Sequence, residues 1–252
     1  MKKTIVASLA VAAAFAITAP ANATTVVAGA AGALLNTAGD TSATFDSVPG
    51  APQSYGSVGA FGPFTDNGAN FSGLGMIMLN TPGGTGDSLG LYAEPFHDTS
   101  NYLTVQPAGS PETIALNTTA TRFGLYWGSM DTYNSIQFYR NGGLIDTVTG
   151  AQAAAVVPAL ANGNQADDAT NRYIEISAVG DGLGFDTVVL LSSQNSFEVD
   201  NLSWGCGPNG GGCAPAPTPL PAALPLFISG LGGLGFFGFW RKKKQALKMA
   251  AA

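Results

Sequence analysis

Through most of the middle of the chain, apolar and polar residues alternate with a period of two over short segments, separated by glycine, proline, asparagine and aspartate. That period puts successive side chains on opposite faces of an extended chain and predicts strands with one buried face. The clearest case is Ser135 to Tyr139, where Ile136 and Phe138 alternate with Gln137 and Tyr139. The turn Arg140 to Gly143, centred on the hairpin dipeptide Asn141-Gly142, returns the chain through Leu144 to Thr149. A second hairpin runs from Tyr173 to Ala178, turns over Gly180 to Gly184, and continues from Phe185 to Leu191. Further strands are expected at Ala43 to Ser47, Met76 to Leu79, Tyr102 to Gln106, Thr113 to Leu116, Arg122 to Trp127 and Phe197 to Trp204. Gln152 to Ala161, an alanine and valine run, is either one short helix or a loop. Nine or ten strands with no internal repeat, in roughly 180 residues from Thr24 to Gly205, predict an all-β fold: a single antiparallel β-sandwich of jelly-roll-like kind.

Both ends break the alternation. Lys2 and Lys3 precede an apolar run from Ile5 to Ala19 and the small-residue pattern Ala21, Asn22, Ala23, which is the layout of a secretory signal peptide over residues 1–23, cut after Ala23. At the other end, Gly205 to Pro217 is rich in glycine and proline and reads as a linker. Leu224 to Trp240 is then apolar except for Ser229, and as a helix would reach about 25 Å against a hydrocarbon core of about 30 Å. Extension back to Leu220 closes the gap, because Pro221 and Pro225 are tolerated in a first helical turn. A transmembrane helix over about 220–240 is therefore expected, and the cations Arg241, Lys242, Lys243 and Lys244 directly after it orient the chain with its N-terminus outside. Residues 245–252 then form a cytoplasmic tail.

Thr218, Pro219, Leu220, Pro221, Ala222 and Ala223, the apolar stretch and the basic cluster together resemble the PEP-CTERM sorting domain, in its variant with a V-P-L-P-A leader. The resemblance covers 218–244, with Thr218 where the variant has valine and Leu220 where the commoner form has glutamate. It implies a bacterial protein exported by the general secretory route, processed at its tail by exosortase, a membrane-embedded cysteine protease, and placed at the cell surface or in an exopolysaccharide or biofilm matrix. Phe123 to Ser129, Asp131 to Asn134, Asn101 to Leu103 and Phe197 to Asn201 are similar to phrases of exosortase-dependent surface proteins, a resemblance that implies no activity.

Charge sharpens the division between domain and ends. Of ten Lys and Arg residues, only Arg122, Arg140 and Arg172 lie between Thr24 and Gly205, whereas all 16 carboxylates do. Three arginines against 16 acids give that segment a net charge of −13, and it contains no lysine. Nucleic-acid binding draws its affinity from cationic contacts to phosphate, so nucleic acid is excluded as a direct partner. Cys206 and Cys213 enclose a glycine-rich loop and, in an oxidising compartment, are expected to close a disulfide; two cysteines and the single His97 are too few ligands for a structural zinc site.

No catalytic motif is present: His97, in Glu94-Pro95-Phe96-His97-Asp98, lacks a Gly-x-Ser-x-Gly partner. A non-enzymatic role is expected, with a glycan-binding module as the alternative and a secreted hydrolase as a third reading, since carboxylate pairs are set only in three dimensions. Carboxylates and amide oxygens suit calcium. In jelly-roll glycan-binding modules an acid on the first strand and one on the last meet at a structural calcium, places that Asp46 and Asp200 take by resemblance. Asp167-Asp168 beside Asn162, Asn164 and Gln165 is a second acidic group, without EF-hand spacing. For sugar stacking the candidates are Tyr126, Tyr133 and Asp131, with Tyr126 placed by alternation on the opposite side from Phe123, Leu125 and Trp127 and expected to be exposed.

Overall fold

Phe123, Leu125 and Trp127 on one strand and Phe197 and Val199 on another are wholly buried, and their strands lie side by side near the middle of the larger of two sheets. The computed structural model describes residues 24–33, 40–54, 57–79, 92–107, 111–157, 161–180 and 182–206. The signal segment with Ala21 and Ala23, the linker with Cys213, and the sorting motif, apolar stretch and tail over 218–252 lie outside the described residues. Everything described belongs to the first of the two units into which the chain divides, Met1–Pro215. Among the described residues no helix is long and apolar enough to cross a membrane.

In chain order the strands are β1 (Thr25–Ala28), β2 (Thr41–Ala43), β3 (Ser57–Phe61), β4 (Phe64–Asp66), β5 (Ala69–Ser72), β6 (Met76–Leu79) and β7 (Tyr102–Val105). They continue with β8 (Glu112–Ala120), β9 (Arg122–Gly128), β10 (Asn134–Arg140), β11 (Gly143–Thr149), β12 (Arg172–Ser177), β13 (Phe185–Ser192) and β14 (Phe197–Gly205). Among the described residues the one helix, α1 (Gly150–Ala155), starts at a capping box in which Thr149 and Gln152 each bond the other's backbone N–H. The larger sheet runs β1-β12-β9-β14-β7-β6-β3, with β2 also paired to β14; the smaller runs β11-β10-β13-β8-β5-β4. Every pairing is antiparallel.

One apolar cluster joins the facing sides of the sheets: Phe123, Leu125, Trp127, Ile174, Phe197 and Val199 from the larger and Phe71, Ile114, Ile136, Phe138, Phe185 and Val188 from the smaller. This is the two-sheet, all-β architecture expected from the period-two pattern. Rings fill it edge to face, as with Phe138 and Phe185 (centroids 4.8 Å apart) and Phe123 and Phe138 (6.1 Å). Successive strands cross between the sheets, β8 to β9, β11 to β12, β12 to β13 and β13 to β14.

Two departures from the expected strands have local causes. Ala43 to Ser47 supplies only the end of β2, because the N–H groups of Thr44 and Phe45 turn to the Asp66 carboxylate (3.1 and 2.9 Å) and Phe45 adopts φ of 59°. On β14 a strict alternation would bring Asn201 inward; instead Asn201 takes φ of 50°, the register to β9 shifts there, and Leu202 and Trp204 reach the core.

Candidate functional site

The bulge leaves Glu198 and Asp200 two residues apart on the face of β14 that points away from the core, about 7 Å apart along the strand. Both side chains are buried: Glu198 is 2% exposed and Asp200 0%. The cover is the segment 92–101, which crosses this outer face. Pro95 lies against Gly128, where an added Cβ would come within 3.0 Å of the proline ring. The Phe96 N–H donates to Asn171 Oδ1 (3.1 Å), and the Tyr126 hydroxyl donates to the carbonyls of Phe96 and Asn171.

Tyr126 is therefore not the exposed stacking face that alternation predicts. It does point away from the core, but the covering segment buries it completely, and that burial raises its phenol pKa above the ordinary value. Asp131 and Tyr133, in contrast, come together. With Ser129, Gln165, Ser196 and Glu198 they line a cavity of about 120 Å³, also bounded by Gly163 and Asn195. That is room for several ordered waters, and well short of the roughly 300 Å³ at which pockets enclose a whole small ligand. The cavity can hold the hydroxyl-bearing edge of a ligand rather than engulf a ring.

Its lining is almost wholly hydrogen-bonding. Glu198 accepts from Ser129 Oγ (3.4 Å) and from the Ser196 hydroxyl, while Tyr133 donates to the Asn195 carbonyl (3.1 Å). Burial pushes the Glu198 carboxyl up to about 7, offset in part by the Ser196 bond, and burial also raises Asp131, which Tyr133 partly counteracts. Gly163, at φ of +67°, lies so close to Asp131 that an added Cβ would stand 2.5 Å from its carboxylate. Glycine is required there for both reasons.

Beside the cavity along β14, Asp200 meets Asp98 of the covering segment. Both accept from Ser100 Oγ, at 3.1 Å and 2.5 Å, and Asp98 Oδ1 also caps the N–H groups of Thr99 and Ser100 (2.8 and 3.0 Å). Glu94, 3% exposed, has neither oxygen bonded, and burial followed by the charge of Asp98 pushes its carboxyl up to about 8. Asp200 is raised well above the carboxylate range, by burial first and by Asp98 second. Asp46 and Asp200 accept hydrogen bonds from adjacent residues of the covering segment rather than from one shared donor. The exposed Asp46 accepts from the backbone and side chain of Asn101 (3.1 and 3.3 Å), and the buried Asp200 accepts from Ser100.

The remaining candidates are used locally. His97 stands exposed with its Nε2 2.7 Å from Asp168, held by an acid rather than beside a nucleophile. Asp167 Oδ1 accepts from the Ala169 N–H (2.9 Å), so Asp167 stabilises its own loop while Asp168 ties that loop to His97. Cys206 is disulfide-bonded, and Cys213 is the chain's only other cysteine.

Asn171 escaped the sequence reading. It is 1% exposed; its Oδ1 accepts from Phe96 and Ser129, and its Nδ2 donates to the carbonyls of Asn164 and Asp167. Glu198 and Asp200 left a legible trace, two acids at i and i+2 alternating with the apolar Phe197 and Val199, whereas Glu94 and Asp98 left none beyond lying in the His97 loop. None of the family models, curated proteins or solved structures compared with the chain matches it.

Proposed function

We propose that this is an exported, non-enzymatic cell-surface or matrix protein: a jelly-roll-like sandwich delivered by the N-terminal signal peptide and sorted by a C-terminal signal that exosortase reads and processes. The observation that carries the reading is the distribution of charge, with a lysine-free segment of net charge −13 set between basic ends that match signal peptide and sorting tail in order. The crossing of successive strands between the two sheets agrees with a jelly-roll-like winding. On this reading the helix over about 220–240 holds the chain in the membrane until processing, after which the domain stays at the surface or in an exopolysaccharide matrix. The test is expression in a bacterium that carries exosortase and in its exosortase deletion strain. The domain is expected in the surface fraction of the first and in the inner membrane of the second; the same distribution in both strains would overturn the proposal.

A second reading, a glycan-binding module, is favoured by the meeting of Asp131 and Tyr133 at the polar cavity. Its site differs from the one expected, since Glu198, Ser129 and Ser196 take the place of the buried Tyr126. Matrix polysaccharides on a glycan array are the measurement, and binding by the native chain that Asp131→Ala abolishes is the expected result. No binding to any neutral or acidic polysaccharide would remove this reading and leave the first untouched.

A further inference from the structure

Nine buried side-chain nitrogen and oxygen atoms among the described residues have no hydrogen-bond partner, and six of them belong to the covering segment and the outer face of the larger sheet beneath it. They are both carboxylate oxygens of Glu94, Asp98 Oδ2, Asn101 Oδ1, Thr104 Oγ1 and Asp200 Oδ1. All six are oxygens. An unpartnered buried polar atom loses its hydrogen bond to water without replacement, and an unpaired buried charge costs more, so such a concentration is not neutral for folding. None of the ion pairs among the described residues reaches Glu94, Asp98 or Asp200; the arginine pairs go to Asp40 and Glu175.

Two features point to what satisfies these atoms. Asp98 and Asp200 share one hydroxyl, Ser100 Oγ, Asp200 Oδ2 also accepts from Asn201 Nδ2 (2.7 Å), and the two carboxylates, when both ionised, repel one another unless something positive lies with them. Asn101, next in the chain and 5% exposed, gives its amide nitrogen to Asp46 and leaves its amide oxygen buried without a donor. That oxygen is neutral, yet it too is a bare buried acceptor, on the residue next to the Ser100 that bonds both aspartates. A donor set of carboxylate and amide oxygens, with no nitrogen or sulfur, is that of a hard divalent cation.

We infer that the segment 92–101 is fastened to the sheet by a calcium ion held between Asp98 and Asp200, with Asn101 Oδ1 and Glu94 completing the protein ligands. No three His, Cys, Asp or Glu side chains among the described residues already surround one point, so the two touching aspartates form the nucleus of the site and Glu94 moves in on binding. The pair differs from the Asp46 and Asp200 expected from resemblance: Asp46 is exposed and orients Asn101 from behind, while Asp98 supplies the second ligand. The role is structural, since the ion joins a covering loop to the outer face of β14. The inference goes beyond the sorting proposal and shares no readout with it.

The full chain, purified in detergent and freed of metal with EDTA, is titrated with calcium chloride by calorimetry and by thermal melting. One calcium per chain with a Kd between about 10⁻⁵ and 10⁻³ M is expected, together with a Tm rise of about 5 °C at saturation. Asp98→Asn and Asp200→Asn each abolish uptake and the Tm rise, Asp167→Asn keeps both, and Glu94→Gln, should the aspartate variants fail to fold, weakens binding about tenfold or more. Absence of saturable uptake by the native chain, equal uptake of magnesium, or a calcium response that survives in the folded aspartate or glutamate variants would overturn the inference.

Discussion

Asn171 joins three segments through one amide: the covering segment at Phe96, the end of β9 at Ser129, and its own loop at Asn164 and Asp167. Asn171→Ala removes the partner of two buried N–H groups and two carbonyls at once, and buried groups left unsatisfied are what make polar deletions costly. A loss of about 3 kcal/mol in urea denaturation is expected. Tyr126→Phe removes only a hydroxyl shared by the carbonyls of Phe96 and Asn171, so about 1 kcal/mol is expected. Glu112 gives a pH-dependent case away from the outer-face cluster. It is fully buried at the start of β8, accepts from the Gly75 N–H at 2.9 Å through one oxygen, and burial pushes its carboxyl from 4.5 up to about 7. The folded carboxyl holds its proton to about pH 7 while an unfolded one releases it near 4.5, so the folded state binds more protons in that window and stability falls as pH rises through it. Glu112→Gln is therefore expected to raise the Tm relative to the native chain at pH 8 and to leave it unchanged at pH 4. Of all this, composition showed only that the acids are many. Which of them are buried depends on which loop crosses which face, and that is set by contacts between residues as distant as Phe96 and Asn171.

Two glycines separate conformational from steric constraint in the strands and their turns. Gly142, at φ of +78° in the β10–β11 turn, has nothing within 4 Å of an added Cβ, so Gly142→Ala meets only backbone strain and is expected to cost about 1 kcal/mol. Gly124 lies within β9, where an added Cβ would stand 2.0 Å from the Tyr173 hydroxyl, itself bonded to Ser203. Gly124→Ala must displace a buried tyrosine, and a loss of about 3 kcal/mol or more is expected in the same denaturation experiment. Strands with strong alternation, β9, β10, β11, β12, β13 and β14, were legible because each presents one apolar face to the core. The hairpin of β4 and β5 was not, although Asn67-Gly68 between them takes the same positive φ values (42° and 84°) as Asn141-Gly142 (50° and 78°). Its strands are only three and four residues long, too short for a period to show. β1 and β3 were missed as well, although the equally short β6 and β7 were expected, and among the described residues of the alanine-rich run that read as helix or loop the helix covers Gly150–Ala155.

At the scale of the molecule, the central proposal joins an acidic sandwich to two basic ends, and each end has its own expected fate. The pattern of apolar positions made the two-sheet, all-β fold legible; the proposed reading of the ends rests on the order of charge, apolar stretch and small residues alone. The polar site on the outer face was not, because it is assembled from β14, β9 and a covering segment far apart in the chain. If the sorting proposal holds, replacing Arg241, Lys242, Lys243 and Lys244 together by glutamine is expected to reduce the surface-displayed fraction by about tenfold or more, read by protease accessibility on intact cells, because it removes the charge that would orient the proposed helix. The most direct measurement is the intact mass of the chain recovered from the surface of an exosortase-bearing cell. The account predicts a species that begins at Thr24, carries the Cys206 disulfide and ends before Arg241. A surface species that still extends to Ala252, or one that begins at Met1, would contradict it.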